Sequence, residues 1–257
     1  MSFQLYDDWS LWVVFAGALV ILFLSAEAGF VVGKLRARKI KNQSKEEKQA
    51  GSILVASLGL LAFLLAFTFS MASNIHYERK SLVLEEANAI GTFYLRTDLL
   101  SPESAKEIRD LLHRYIDIRL QARSSEAVGE VIRIKQDSDE ILARLWPATI
   151  DACSGVSAPK LMLLIDAANK VIDLHGKRMN AVYKRLPEMV NLTLIIIAVT
   201  TLGLLGYQSG LNGVRILVPR FALILPLATV MLLVVDLDRP GGILIEVGHQ
   251  ALIDLNR

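Results

Sequence analysis

The stretch SILVASLGLLAFLLAFTFSMASNI, Ser52 to Ile75, is uncharged from end to end and runs without a break into a charged, helix-forming segment, His76-Tyr-Glu-Arg-Lys80. An α-helix rises about 1.5 Å per residue and about 30 Å of hydrocarbon must be crossed, so a run of this length reads as a membrane-spanning helix. Working outward, three further runs have the same character: Leu11–Val32 on one side, and Val190–Tyr207 and Ile216–Val235 on the other. Each is roughly 18–24 residues long. A hydrophobic fraction of 53% and a mean hydropathy of +0.43 agree with an integral membrane protein.

The four runs fall into two tight pairs around a hydrophilic middle. The expected organisation is a first transmembrane hairpin over residues 1–75, a helical extramembrane domain over 76–187, and a second hairpin with a C-terminal tail over 188–257. The connection between the first two spans carries Lys34, Arg36, Arg38, Lys39, Lys41, Lys45 and Lys48 against Glu46 and Glu47, and the second short connection carries Arg215 and Arg220. Short basic loops stay in the cytoplasm. Asp7 and Asp8 precede the first span and Asp236 and Asp238 follow the fourth, so both termini, and with them the middle domain, are expected outside the cytoplasm of a plasma (inner) membrane. The first run is too long, and its flank too acidic, for a cleaved signal peptide.

The middle region reads as helices, which makes the fold class all-α. Ser101 is placed to cap a helix with Pro102 at its first position and an apolar stripe of Ile108, Leu111, Leu112, Tyr115 and Ile118. A second helix is expected over Ser125–Trp146, ended by Pro147. A third is expected from Lys160 towards Leu186, with Leu161, Leu164, Ile165, Ala168, Ile172, His175, Met179 and Val182 on one side. Pro187 lies three residues before the third apolar run, so this helix should lead almost directly into the membrane.

Stepping three or four residues from Phe63 gives Phe67, Ser70, Asn74, Glu78, Ser81, Glu85, Asn88 and Thr92, which at 100° per residue share an arc of about 80°. One stripe thus passes from aromatic to hydroxyl and amide to carboxylate. In a symmetric oligomer it could line a pore, with a phenylalanine constriction and a glutamate ring. Packing in the bundle and helix–helix hydrogen bonding are the alternative use. Glu27, within the first span, requires a partner such as Lys34 or Arg220, or hydration, or else marks an ion site. Gly29 and Gly33 follow it at the GxxxG spacing that permits close helix approach. Asp236, Asp238 and Arg239 are expected to clamp the end of the fourth helix, where Pro240 and Gly241 stop it, with Arg239 donating to Asp236, Asp238, Glu85 or Glu86.

Templates for enzymes are missing: no glycine-rich phosphate loop, no GxSxG, no HExxH, no CxxC. His76, His113, His175 and His249 have no metal-ligand spacing, and no metal or other cofactor is expected. One cysteine, Cys153, makes no internal disulfide, and a net charge of +2 leaves no nucleic-acid footprint.

Ser25-Ala-Glu-Ala-Gly-Phe-Val-Val-Gly33, Leu65-Ala-Phe-Thr-Phe-Ser70, Glu85-Glu-Ala-Asn-Ala-Ile-Gly-Thr-Phe-Tyr-Leu-Arg96, Gly206-Tyr207, Asp236-Leu-Asp-Arg-Pro240 and Gln250-Ala-Leu-Ile-Asp-Leu255 resemble, in order, the bacterial membrane-protein family called bestrophin-like. The resemblance implies similarity to bestrophins, pentameric anion channels whose second helix carries a hydrophobic neck, with Phe63, Phe67 and Phe69 at the matching positions. Bestrophins hold their large domain and termini in the cytoplasm, opposite to the orientation read from charge, and Glu78 and Glu85 suit cations. The expected function is a homo-oligomeric ion channel, with inorganic ions and membrane lipid as its partners. A non-conducting membrane sensor or scaffold that binds a partner through its helical domain is the alternative.

Overall fold

The computed structural model describes residues 9–39, 43–121, 128–215, 217–240, 242, 244–245, 248 and 250–255. Asp7 and Asp8, Lys41, the helix start at Ser125, Gly241 and His249 lie outside them. The regular elements are all helical: α1 (Leu11–Ala37), α2 (Gln43–Arg96), a short 3-10 turn (Thr97–Leu99), α3 (Pro102–Gln121), α4 (Val128–Ala152), α5 (Ala158–Tyr183), α6 (Glu188–Leu211), α7 (Leu217–Asp238) and α8 (Gln250–Leu255). Four apolar stretches, in α1, α2, α6 and α7, are long enough to cross a membrane.

The chain divides into two compact units, one of residues 1–74 and 185–239, the other of 75–184 and 240–257. In the first, α1 and α6 meet through glycine. A Cβ added at Gly29 or Gly33 would strike the backbone of Gly203 or Tyr207, and one at Gly206 or Gly210 would strike that of Ala26 or Phe30. The expected close approach at Gly29 and Gly33 is therefore realised, against a matching series of small residues on α6. Ser25 Oγ donates to the Val199 carbonyl at 2.6 Å across the same seam. Leu22, Ala26, Leu61, Leu194, Ala198, Leu202, Ile224 and Ala228 form the core of this unit.

In the second unit, α3, α4 and α5 pack with the later part of α2 around Ile90, Phe93, Ile108, Leu112, Tyr115, Leu145, Leu164 and Val171. Ser101 caps α3 as its position suggests: the Ser104 amide donates to Ser101 Oγ at 3.3 Å. Pro147 does not end α4, which continues to Ala152. The proline costs about 3 kcal/mol in a helix interior. That cost is met here because Leu145, Trp146, Ala148 and Ala152 all lie against the same core and hold the helical path through it. α5 stops at Tyr183 and four residues intervene before α6, so the passage to the next apolar helix is a break rather than a near-continuation. Pro187 explains it, since the residue before a proline is pushed out of the helical region. Arg79 closes the end of α5 by donating from Nε to Ala181 O at 3.1 Å and from Nη2 to Lys184 O at 2.7 Å.

Candidate functional site

α2 is 54 residues long and contributes to both units. In the first unit it buries one narrow line, Leu54, Leu61, Thr68 and Ala72. Thr68 satisfies its hydroxyl within the helix, donating to Leu64 O at 2.6 Å. Phe63, Phe67, Ser70 and Asn74 lie roughly 150° round the helix from that line, and all four are exposed. Phe63 keeps 66% of its surface and Phe67 53%.

In the second unit α2 buries Arg79, Val83, Glu86, Ala87, Ile90 and Phe93. Glu78, Ser81, Glu85, Asn88 and Thr92 are exposed on the far side. Every position of the stripe read from the sequence is thus open on the single chain. Three of its polar groups are engaged: Lys184 Nζ lies 2.6 Å from Glu78 Oε2, and Ser81 donates to Glu85 Oε1 at 3.0 Å. A shallow cavity of about 220 Å³ opens beside Glu85, Asn88 and Thr92, bordered by Arg96, Asp166 and Lys170.

Glu27 is paired, and doubly. Its Oε2 lies 2.5 Å from Arg215 Nη2 and its Oε1 bonds Arg220 Nη1. Both guanidinium groups also stand near the Phe30 ring, at 5.5 and 5.8 Å from its centroid. Arg220 is buried, so the carboxylate neutralises a charge that apolar surroundings could not hold alone.

Asp236 and Asp238 are both buried. Asp238 Oδ1 accepts the Leu186 amide at 2.7 Å, and Arg185 Nη1 donates to the Asp238 carbonyl at 2.9 Å, with Oδ2 at 3.4 Å. Arg239 donates to the Trp9 carbonyl at 2.8 Å. The clamp therefore joins the end of α7 to the entry of α6 through Arg185.

A buried ionic cluster in the second unit went unread in the sequence. Glu86 is fully buried, and its carboxylate bonds Arg178 Nη1, accepts the Tyr115 hydroxyl at 2.6 Å and lies 3.8 Å from Arg119 Nε. The Tyr115 oxygen is also 3.0 Å from His175 Nδ1, and His175 Nε2 is 2.9 Å from Asp139 Oδ1. Lys135 completes the line at 2.6 Å from Asp139. Four helices meet here, and one carboxylate faces two guanidinium groups.

Burial raises the Glu86 carboxyl, but the charges of Arg178 and Arg119 outweigh it and hold the group below its ordinary value. Burial pushes the Tyr115 hydroxyl well up, helped by Glu86, and pulls His175 down, helped by Arg119. Tyr115 has one hydrogen for two neighbours. When it goes to Glu86, His175 must donate from both nitrogens; a neutral His175 that donates to Asp139 takes that hydrogen instead. The proton on His175 thus decides whether Tyr115 donates to Glu86 on α2 or to His175 on α5.

The available signal was a charge on an apolar stripe: Arg119 lies four residues after Tyr115, and Arg178 three after His175, each on the buried side of its helix. Among the described residues no group of three His, Cys, Asp or Glu side chains converges in a way that would hold a metal ion.

Compared with known families, residues 12–242 match the Bestrophin-like domain. The chain belongs to the bestrophin-like family. With its four apolar helices it is a multi-pass membrane protein of that family. No curated protein and no solved structure matches the chain.

Proposed function

We propose that this bestrophin-like protein is the subunit of a homo-oligomeric ion channel, not an enzyme, in which the exposed side of α2 lines the path. The observation that carries the reading is the openness of the whole stripe on one chain. Ser70 and Asn74 lie among apolar residues of a membrane-length run, and lipid offers an amide or hydroxyl no hydrogen bond. Further copies of α2, or a column of water between them, would supply one. Phe63 and Phe67 then form a dewetting constriction, and Glu85 and Asn88 a polar mouth. Lys184 offsets the charge of Glu78, which leaves Glu85 as the carboxylate with the larger say in selectivity.

In this reading α1 and the start of α2, and likewise α6 and α7, are joined through short basic loops as two hairpins in the inner membrane, with α1 packed on α6. Residues 76–187 form the extramembrane domain, on the same side as both termini and opposite the basic loops. Glu27 serves chiefly to neutralise Arg220 and Arg215, and the α7 clamp holds the second hairpin together.

Oxidative crosslinking tests the assembly. In a Cys153→Ser background, Ser70→Cys should give crosslinked oligomers in the membrane, whereas Leu61→Cys, buried within its own unit, should stay monomeric. Crosslinks at neither position, in protein that folds, would remove the oligomeric pore and leave a sensor or scaffold.

A further inference from the structure

At the basic-loop end of the first unit, α1, α2 and α6 leave between them a cavity of about 500 Å³. Arg36 and Lys45 stand at its rim, Gln49 and Tyr207 give it polar edges, and Ile53 and Leu204 wall its apolar side. The rim charges are unequal in availability. Glu46 accepts the Tyr207 hydroxyl at 2.6 Å and lies 3.2 Å from Arg36 Nε, so the carboxylate is already shared. Lys45 makes no ion pair among the described residues and is exposed. Arg38, Lys39 and Lys48 lie close by in the chain and add to the positive field.

We infer that this cavity is a binding site for an anionic phospholipid. The phosphate would sit by Lys45 and Arg36, and Gln49 would donate to the headgroup. An acyl chain would follow Ile53 and Leu204 along the apolar helices. Charge complementarity selects an anion, and the apolar wall, continuous with membrane-length helices, selects one that carries a hydrocarbon tail. A basic residue at such a surface is worth about fivefold in binding an anionic lipid. The bound lipid would brace the seam that Tyr207 and Glu46 already make between α6 and α2. The site uses no residue of the Phe63–Thr92 stripe, although Lys45 and Gln49 continue its face of α2 towards the basic-loop end.

Native mass spectrometry of the full chain, released from nanodiscs made of equal dioleoyl phosphatidylglycerol and dioleoyl phosphatidylcholine, tests the assignment. The wild type should retain phosphatidylglycerol about fivefold over phosphatidylcholine. Lys45→Gln should bring that ratio close to one, and Leu204→Trp, which fills the apolar wall without changing charge, should reduce retention of both lipids. Lys48→Gln, a basic change outside the cavity, should alter the ratio less than twofold. Equal losses in Lys45→Gln and Lys48→Gln would mean a diffuse surface field and overturn the site. So would full lipid retention by a folded Leu204→Trp protein, or displacement of the lipid by inorganic phosphate alone. Lys45 is exposed, so its variant remains informative even if the tryptophan variant fails to fold.

Discussion

The two units solve helix packing in opposite ways. In the first, α1 and α6 come together backbone to backbone at Gly29, Gly33, Gly206 and Gly210, and charge is held in separate pairs, Glu27 with its two arginines and Asp238 with Arg185. In the second, large side chains fill the core and a carboxylate with two guanidinium groups is buried at its centre. In the proposed topology lipid surrounds the first unit and makes apolar side chains poor glue, so close van der Waals approach does the work there. In the proposed topology burial from water drives the other, and its ionic centre is a cost that Glu86 offsets in part, since one carboxylate serves two guanidinium groups and Arg119 Nε and Nη1 have no hydrogen-bond partner among the described residues.

The sharpest way to break the contrast is to remove one charge. Glu86→Ala should leave Arg119 and Arg178 facing each other without a counterion. The expected loss is about 3–5 kcal/mol, read by thermal or urea unfolding of the purified protein. A variant as stable as wild type would mean that the cluster is hydrated and not the ionic centre described.

Next in size comes the glycine seam. Gly206→Leu forces side-chain volume into the contact with the Ala26 backbone, with an expected cost of about 3 kcal/mol. It should lower the melting temperature in detergent or prevent recovery of folded protein, whereas Gly17→Leu, which has open space around it, should not. Equal tolerance of the two changes would contradict close approach.

A smaller effect sharpens the second unit. Burial first, and Arg119 second, hold His175 below the ordinary imidazole value of 6.5. The unfolded chain therefore takes up that proton earlier as pH falls, and the folded state loses stability from about pH 6.5 downward. Asp139, on α4, favours the charged ring and limits the shift. Glu86, whose carboxyl is also depressed, adds a further loss of the same sign at lower pH. His175→Gln should flatten the stability profile between pH 7 and 5.5, while stability at pH 7 changes less. An unchanged slope would assign the pH dependence to other histidines.

Much of this architecture was legible because its signals are long. Long apolar runs announce four helices, a Ser-Pro-Glu start announces α3, and the glycines at Gly29 and Gly33 announce a close neighbour. The spacing of Phe63 to Thr92 placed a stripe on one side of α2, and the side proved open. Partner choice was less legible. Asp238 is bonded by Arg185, more than fifty residues away in the chain, and no local pattern announces that pairing. The Glu86 cluster draws one or more residues from each of four helices, so its members look like isolated charges until the helices pack. Pro147 misled for a related reason, because a local helix-breaking cost was outweighed by contacts made only in the folded core.

The most direct measurement of a conducting α2 is potassium and chloride flux from liposomes holding the wild type, Phe67→Ala or Glu85→Lys. Phe67→Ala should raise flux by widening and wetting the constriction, and Glu85→Lys should shift selectivity towards chloride. Background-level flux from all three, as folded oligomers, would contradict a channel lined by this helix.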